Sequence, residues 1–190
     1  MINFGIDLGT TNSVIARFVK GDVQVYTNPT DQGCSSLPSV VGFKKDKIFI
    51  GKQARTLYER DPRSVVSAFK RRMGTTESYK IKATGQSATP VELSALVLKE
   101  LKTFLPPGEP LAAAVITIPA SFDMIQSNAT KAAEEQAGIG QVMLLQEPIA
   151  ASLAYANMKK PPTWARGNGW CTTWAAAPST CPWCASRTAK

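Results

Sequence analysis

The chain has 190 residues, with 22 Lys and Arg against 14 Asp and Glu, a formal net charge of +8, no His and 44% hydrophobic residues. This length suits one domain, or one domain with an attachment, and can bury a single sizeable core. The absence of His excludes His-based triads, His acid–base catalysis and His-ligated metal sites. The longest apolar run, near residues 111–118, is far shorter than a bilayer span, and Asp7 interrupts the first apolar stretch before a signal peptide could form. We therefore expect a cytoplasmic protein without a membrane anchor.

Strands dominate the start of the chain. Alternation of apolar with small or polar residues predicts a first strand ending at Asp7. Lys20-Gly21-Asp22 is a hairpin signal between the next two strand-like runs. In chain order, strands are predicted at residues 2–7, 14–19, 23–26, 40–43, 48–50, 113–118 and 142–145.

Three helices are predicted in the second half. The first follows Thr89-Pro90-Val91-Glu92, which has capping-box spacing with Pro in the first turn, and Pro106-Pro107-Gly108 ends it. The others cover residues 123–137, closed by Gly138, and residues 148–158. The element order predicts an α/β domain with a mixed sheet over residues 1–160, carrying an insertion from about 38 to 110.

The loop after the first strand has the composition of a phosphate-binding loop. Gly9 is small enough for backbone N–H groups to reach phosphate oxygens, Thr10 and Thr11 supply hydroxyls, and Asp7 supplies a carboxylate for Mg²⁺. The alternative is a tight hairpin in which the Asp and Thr side chains only satisfy turn amides.

The sequence Asp-Leu-Gly-Thr-Thr-Asn-Ser at residues 7–13 resembles the first phosphate motif of the DnaK-type, 70-kilodalton heat-shock chaperone family. More distantly it resembles the whole actin, sugar-kinase and heat-shock ATPase superfamily. The later segments that resemble the chaperone branch, in order and at similar spacing, are residues 68–74, 89–95, 116–120 and 146–155. The resemblance covers essentially all of residues 1–160.

The resemblance implies a ribonuclease-H-like, actin-like ATPase lobe with a mixed sheet flanked by helices and an inserted α+β subdomain. It implies ATP or ADP with Mg²⁺ as ligands. Gly9, Thr10 and Thr11 would bind the phosphates, and Asp7 would hold Mg²⁺ through water. For the full-length family member it also implies unfolded polypeptide clients and co-chaperones.

The resemblance further gives catalytic roles to Lys70, which would reach the γ-phosphate and the attacking water, and to Glu147, which would order that water and the metal. Pro119 would be an allosteric switch. From the residues alone, Lys70 belongs to a Lys-Arg-Arg run of the kind that is usually solvated, and Glu147 is an acidic residue favoured at a helix start. Ser121 and Ser127 stand where the family usually has Tyr and Arg, which puts interdomain signalling in doubt. Gln146 replaces a usual Asn.

The same motifs leave functions other than a chaperone open. A small-molecule kinase and a filament-forming protein are the alternatives within the superfamily. Net charge alone favours a nucleic-acid binder, but the basic residues lack interleaved aromatic platforms, so we do not expect nucleic-acid binding. The lack of a membrane-spanning apolar run likewise gives no expectation of a membrane partner.

Residues 161–190 differ sharply from the rest. They contain all four Trp, three of the four Cys and no Ile, Leu, Val, Met, Phe, Tyr, Asp or Glu, so no core or fixed fold is expected. The Cys181-Pro182-Trp183-Cys184 pattern is typical of a redox pair or half a zinc site. We favour another explanation, a reading frame that slips near residues 160–162. Shifted by one base, residues 172–180 can encode Tyr-Asp-Leu-Gly-Gly-Gly-Thr-Phe-Asp, which resembles the second phosphate motif of the family. A chain carrying only the first lobe is expected to be inactive or strongly impaired as an ATPase.

Overall fold

A computed structural model describes residues 2–157 of the chain, except residues 32, 46, 82–84 and 86. These residues form two compact units. One contains residues 2–118 and 122–144, and the other contains residues 119–121 and 145–157. The sequence hypotheses about residues 158–190, including the C-x-x-C pair and the shifted frame, lie outside the described residues.

The predicted strands and helices are present, with additional short elements. The strands are β1 (Phe4–Leu8), β2 (Asn12–Val19), β3 (Asp22–Val25), β4 (Leu37–Pro38), β5 (Val40–Lys44), β6 (Lys47–Ile50), β7 (Val65–Ser67), β8 (Tyr79–Lys80), β9 (Ser87–Ala88), β10 (Ala113–Ile118) and β11 (Gln141–Gln146). The α-helices are α1 (Lys52–Arg60), α2 (Pro90–Lys102), α3 (Met124–Gln136) and α4 (Glu147–Ala156), and Pro62–Ser64 and Phe69–Arg72 form 3-10 turns. Among the described residues, every helix falls short of the length and hydrophobicity that a membrane-spanning helix requires.

The main sheet is mixed, as predicted. Its strand order is β11-β10-β1-β2-β3, with β4 beside β2. β1 pairs parallel with β10 and antiparallel with β2. The β2–β3 hairpin turns at Lys20 and Gly21, whose φ angles of 51° and 90° are the left-handed pair that suits the twist of a two-residue hairpin. The α/β class and the mixed sheet are therefore confirmed.

One face of this sheet forms the core. Every second residue of β1 is buried, namely Phe4, Ile6 and Leu8, and Ile15 of β2 is buried in the same core. The apolar faces of α2 and α3 belong to the same buried cluster, through side chains such as those of Leu93, Val97, Leu98, Leu101, Ala133 and Ala137. The period-2 pattern of the strands and the helical spacing of α2 therefore meet in one core.

In the part of the chain between β4 and β10, the residues form a three-stranded sheet of order β6-β5-β7 and the two-stranded β8–β9 hairpin. α1 packs beside β5 and was not predicted. It has few apolar residues, only Ala54 is buried, and its first turn follows Gly51 without a side-chain cap. The usual helix signals are therefore missing from its sequence.

Capping explains why α2 and α3 begin where they do. The Thr89 hydroxyl accepts from the Glu92 N–H at 3.2 Å, and Glu92 Oε2 accepts from the Thr89 N–H at 2.7 Å, so the predicted capping box is confirmed. Asp123 and Gln126 form an equivalent box at the start of α3. Gly138, with φ of 70°, follows the end of α3 as predicted.

Candidate functional site

Asp7 is the exposed residue near the end of β1, where the predicted phosphate loop begins. Its carboxylate is oriented by the neighbouring strand, because Asp7 lies opposite Thr117 in the parallel β1–β10 pair. The Thr117 hydroxyl donates to Asp7 Oδ1 at 2.7 Å. Thr117 was not among the predicted site residues, because strand pairing brings it to Asp7 from 110 positions away along the chain.

Gly9 lies at the tightest point of the loop. A Cβ atom at this position would be 2.1 Å from the Asn12 carbonyl oxygen, which is far inside van der Waals contact. The chain can therefore turn here only without a side chain, consistent with the requirement for a small residue. Thr10 is half-buried and Thr11 is exposed, so the second hydroxyl lies at the surface of the loop.

Two buried serines lie behind this loop. Ser39 is the residue between β4 and β5, and its hydroxyl donates to the Gly9 carbonyl oxygen at 2.7 Å. Its backbone N–H donates to the Thr11 carbonyl oxygen at 2.9 Å. The Ser13 hydroxyl lies 2.9 Å from the Ser39 hydroxyl. Sequence reasoning missed Ser39, since an isolated serine after a Pro carries no recognisable signal.

Lys70 differs from its neighbours in the Lys-Arg-Arg run. It is 3% exposed, whereas Arg71 and Arg72 are exposed. The 3-10 turn that contains it follows Ala68, which adopts a left-handed conformation with φ of 54°. The Lys70 ammonium lies 5.7 Å from the centre of the Phe122 ring, within cation–π range. The solvated-surface interpretation is therefore wrong for Lys70 and holds for the two arginines.

Two predicted residues lie in the second unit. Glu147 is the first residue of α4 and is followed by Pro148, and Pro119 comes directly after β10. Gln146, the N-cap of α4, makes no side-chain capping bond. Glu147 lies in the first turn, where the helix dipole favours an acidic residue, as the residues alone indicated. Asp7, Gly9, Thr10, Thr11 and Lys70 all lie in the first unit.

The strongest electrostatic perturbation lies away from the predicted residues, at Glu134 of α3. Its side chain is 1% exposed, and neither carboxylate oxygen has a hydrogen-bond partner. Burial raises the pKa of Glu134 from 4.5 to about 8; Lys131 opposes this shift and Glu135 adds to it. This carboxyl is therefore mostly neutral at pH 7.

The chemistry available around Asp7 is that of a single oriented carboxylate beside backbone and hydroxyl donors. Within the described ranges, no cluster of three or more His, Cys, Asp or Glu side chains could hold a metal ion directly. A Mg²⁺ ion prefers to keep several waters and to be carried by one or two carboxylates and substrate phosphates. The residues around Asp7 fit such water-mediated binding and do not form a closed metal cage.

Comparison with known proteins adds an independent finding. The family model described as Hsp70 protein matches residues 3–163. The chaperone protein DnaK of Endomicrobium trichonymphae is 42% identical over 158 residues, which are 80% of this chain and 25% of that protein. The chain thus spans about a quarter of the length of this curated relative.

Proposed function

The chain belongs to the Hsp70 family, and on that basis we propose that residues 1–160 are the first lobe of an actin-like, ribonuclease-H-like ATPase domain. The segment from about 38 to 110 is its inserted subdomain. The lobe binds the phosphates of ATP or ADP together with Mg²⁺. In the whole protein, nucleotide hydrolysis drives the binding and release of unfolded polypeptides.

The loop that follows β1 carries this proposal. A phosphate needs close approach to the backbone, and Gly9 has no side chain to obstruct it; the turn itself also requires glycine, because a Cβ atom would lie 2.1 Å from the Asn12 carbonyl oxygen. Thr10 and Thr11 add hydroxyl donors beside this position. Asp7 presents an exposed carboxylate whose direction is set by Thr117. These features support phosphate binding on the loop and water-mediated Mg²⁺ binding at Asp7.

We assign catalytic roles to Lys70, which contacts the γ-phosphate and the attacking water, and to Glu147, which orders that water and the metal. Phosphoryl transfer depends chiefly on charge neutralisation and positioning, and Mg²⁺ supplies part of that neutralisation when bound. The burial of Lys70 supports its role, because an ammonium group already removed from bulk water has less hydration to lose on contacting phosphate. Pro119 is the switch residue in this proposal, and Ser121 and Ser127 alter the signal that it passes on.

A titration of the ¹⁵N-labelled 190-residue chain tests phosphate binding. MgATP and magnesium pyrophosphate are each expected to shift the amide signals of residues 9–11, and adenosine is expected to leave them in place. Asp7→Asn should weaken the response to both phosphate ligands when Mg²⁺ is present and change it little when Mg²⁺ is removed. Unshifted amides at millimolar MgATP would refute the proposal.

We further propose that the polypeptide of residues 1–190, tested alone, has no appreciable ATP turnover. The described residues supply one side of a phosphate site, and contacts from one side do not hold the nucleotide in line with the water that Lys70 and Glu147 contact. Phosphate release measured under single-turnover conditions should match the enzyme-free rate. Turnover at a rate typical of an intact family member would contradict this expectation.

For the whole protein we propose unfolded polypeptide clients, co-chaperones and a cytoplasmic location, with no nucleic-acid or membrane ligand. This proposal follows the similarity to DnaK. In a longer chain that contains both lobes and the peptide-binding domain, ATPase activity should rise with an unfolded peptide and not with sugars. Stimulation by a sugar would favour the kinase alternative.

We also propose that residues 161–190 are an out-of-frame translation. The family match ends at residue 163, close to the change in composition at residue 161. Sequencing the coding DNA across residues 155–190 from the native source tests this. The neighbouring frame is expected to encode Tyr-Asp-Leu-Gly-Gly-Gly-Thr-Phe-Asp over residues 172–180, and DNA in which no neighbouring frame encodes this motif would refute the proposal.

A further inference from the structure

Ser39 connects the phosphate loop to two sheets. It follows β4, which pairs with β2 in the main sheet, and precedes β5, the central strand of the three-stranded sheet. Its side chain is 1% exposed. Through its hydroxyl and its backbone N–H it binds the carbonyl oxygens of Gly9 and Thr11, at 2.7 and 2.9 Å. Ser39 therefore holds the carbonyl groups of both residues that flank Thr10.

The hydrogen bonds of Ser39 have a fixed direction. A serine hydroxyl has one proton, and Ser39 donates that proton to Gly9. Ser13 must therefore be the donor in its 2.9 Å contact with Ser39. Consecutive hydrogen bonds of this kind polarise and strengthen each other. Ser13, itself fully buried, thus strengthens the bond from Ser39 to the loop.

Holding the Gly9 carbonyl also sets the direction of a donor. In a trans peptide the carbonyl and the following N–H point in opposite directions, and no cis peptide occurs among the described residues. The Gly9 carbonyl points at Ser39, so the Thr10 N–H points away from Ser39. An anion site gains most from donors that are fixed before the anion arrives, because no reorganisation is then needed.

We propose that Ser39 is a positioning residue of the phosphate loop, which holds the Gly9–Thr10 peptide so that the Thr10 N–H faces a bound phosphate. This inference rests on the proposed function, since it concerns the same loop. It adds a residue that does not itself touch the ligand. Because Ser39 begins the connection into β5, it also ties the loop to the segment inserted between β4 and β10.

The experiment compares variants of the labelled 190-residue chain. Ser39→Ala removes the brace, and Ser13→Ala removes only the donor behind it. Ser94→Ala is the matched control, because Ser94 is equally buried and its hydroxyl bonds the Pro90 carbonyl within α2, away from the loop. For each variant we would measure the free energy of unfolding, the hydrogen-exchange rates of the amides of residues 9–11 without ligand, and the dissociation constant for MgATP.

Ser39→Ala is expected to weaken MgATP binding roughly five- to tenfold, the range that corresponds to one lost hydrogen bond, and to speed exchange at the loop amides. Ser13→Ala should produce a smaller change in the same direction. Ser94→Ala should leave both loop measurements unchanged even where it lowers stability.

The outcomes separate this inference from the proposed function. A wild-type chain that binds MgATP, together with a Ser39→Ala variant that binds equally well, would overturn the role of Ser39 alone. The role of Ser39 would also be overturned if amide exchange and MgATP affinity changed in proportion to the loss of stability in every variant, Ser94→Ala included. A wild-type loop that does not respond to MgATP or magnesium pyrophosphate would overturn the proposed function and the phosphate role of Ser39 together.

Discussion

The buried carboxyl of Glu134 makes the stability of this chain depend on pH in an unusual direction. Its pKa is about 8 in the folded chain against an ordinary value of 4.5. Between these values the folded state keeps the proton while the unfolded state releases it, so the free energy of unfolding falls as pH rises and levels off above pH 8. This difference in pKa lowers the free energy of unfolding by about 5 kcal/mol across the whole pH range, of which about 3 kcal/mol is lost between low pH and pH 7.

Glu134→Gln tests this reasoning, because it keeps the size of the side chain and removes its titration. We expect the variant to unfold with a free energy up to about 3 kcal/mol higher than wild type at pH 7, and nearly equal to wild type near pH 4. A buried amide without partners keeps part of its desolvation cost, so this figure is an upper value. Glu59→Gln is the matched control, since Glu59 is an exposed residue of α1 and does not contribute to the pKa shift of Glu134.

Urea unfolding from pH 4 to 9 provides the measurement. Far-ultraviolet circular dichroism is the suitable probe, because all four Trp residues lie in residues 161–190, outside the described part of the chain. Glu100 also has a pKa raised by burial, so a smaller slope of the same sign should remain in Glu134→Gln. Parallel stability profiles for wild type and Glu134→Gln would show that Glu134 is solvated or paired in the folded chain, and the argument from its burial would be wrong.

Three further changes probe the loop and its surroundings. Gly9→Ala places a Cβ atom against the Asn12 carbonyl oxygen, so it should lower the free energy of unfolding by roughly 1–3 kcal/mol and abolish the MgATP response. In the control Gly5→Ala the new Cβ atom has no neighbour within 4 Å, and neither effect is expected. Lys70→Ala should weaken MgATP binding and Arg71→Ala should not, and equal effects on both dissociation constants would count against the burial argument. Thr117→Val removes the hydrogen bond to Asp7 with little change in shape. We expect the apparent Mg²⁺ affinity, measured in the MgATP titration, to fall roughly fivefold. An unchanged affinity would show that Thr117 does not need to orient the Asp7 carboxylate.

Local patterns were enough to predict the elements that carry their own signals. The Thr89 capping box and the hairpin at Lys20–Asp22 depend on residues close in sequence, and both appear in the structure as predicted. α1 was missed because its apolar stripe is short, consisting of Ala54, Leu57 and Tyr58, and because it has no side-chain cap; packing on β5 holds it.

The site shows the same division. The small residue at position 9 could be predicted from the loop composition, and the burial of Lys70 could not be predicted without the family, because charge alone favours solvent. Thr117 and Ser39 act on the loop through strand pairing and through the β4–β5 junction. Such contacts depend on register between distant segments, which a single sequence does not specify.

The parallel pairing of β1 with β10 has a consequence for synthesis on the ribosome. β1 can pair with β2 almost at once, but its other edge waits for a strand that begins about 110 positions later, as the Phe4–Ala114 partnership requires. At roughly 5–20 residues per second, that edge stays open for about 5 to 22 seconds. An unpaired edge next to an apolar face invites pairing with other nascent chains. Each newly made copy of this chain is therefore itself an aggregation-prone polypeptide until β10 has been made and has paired with β1.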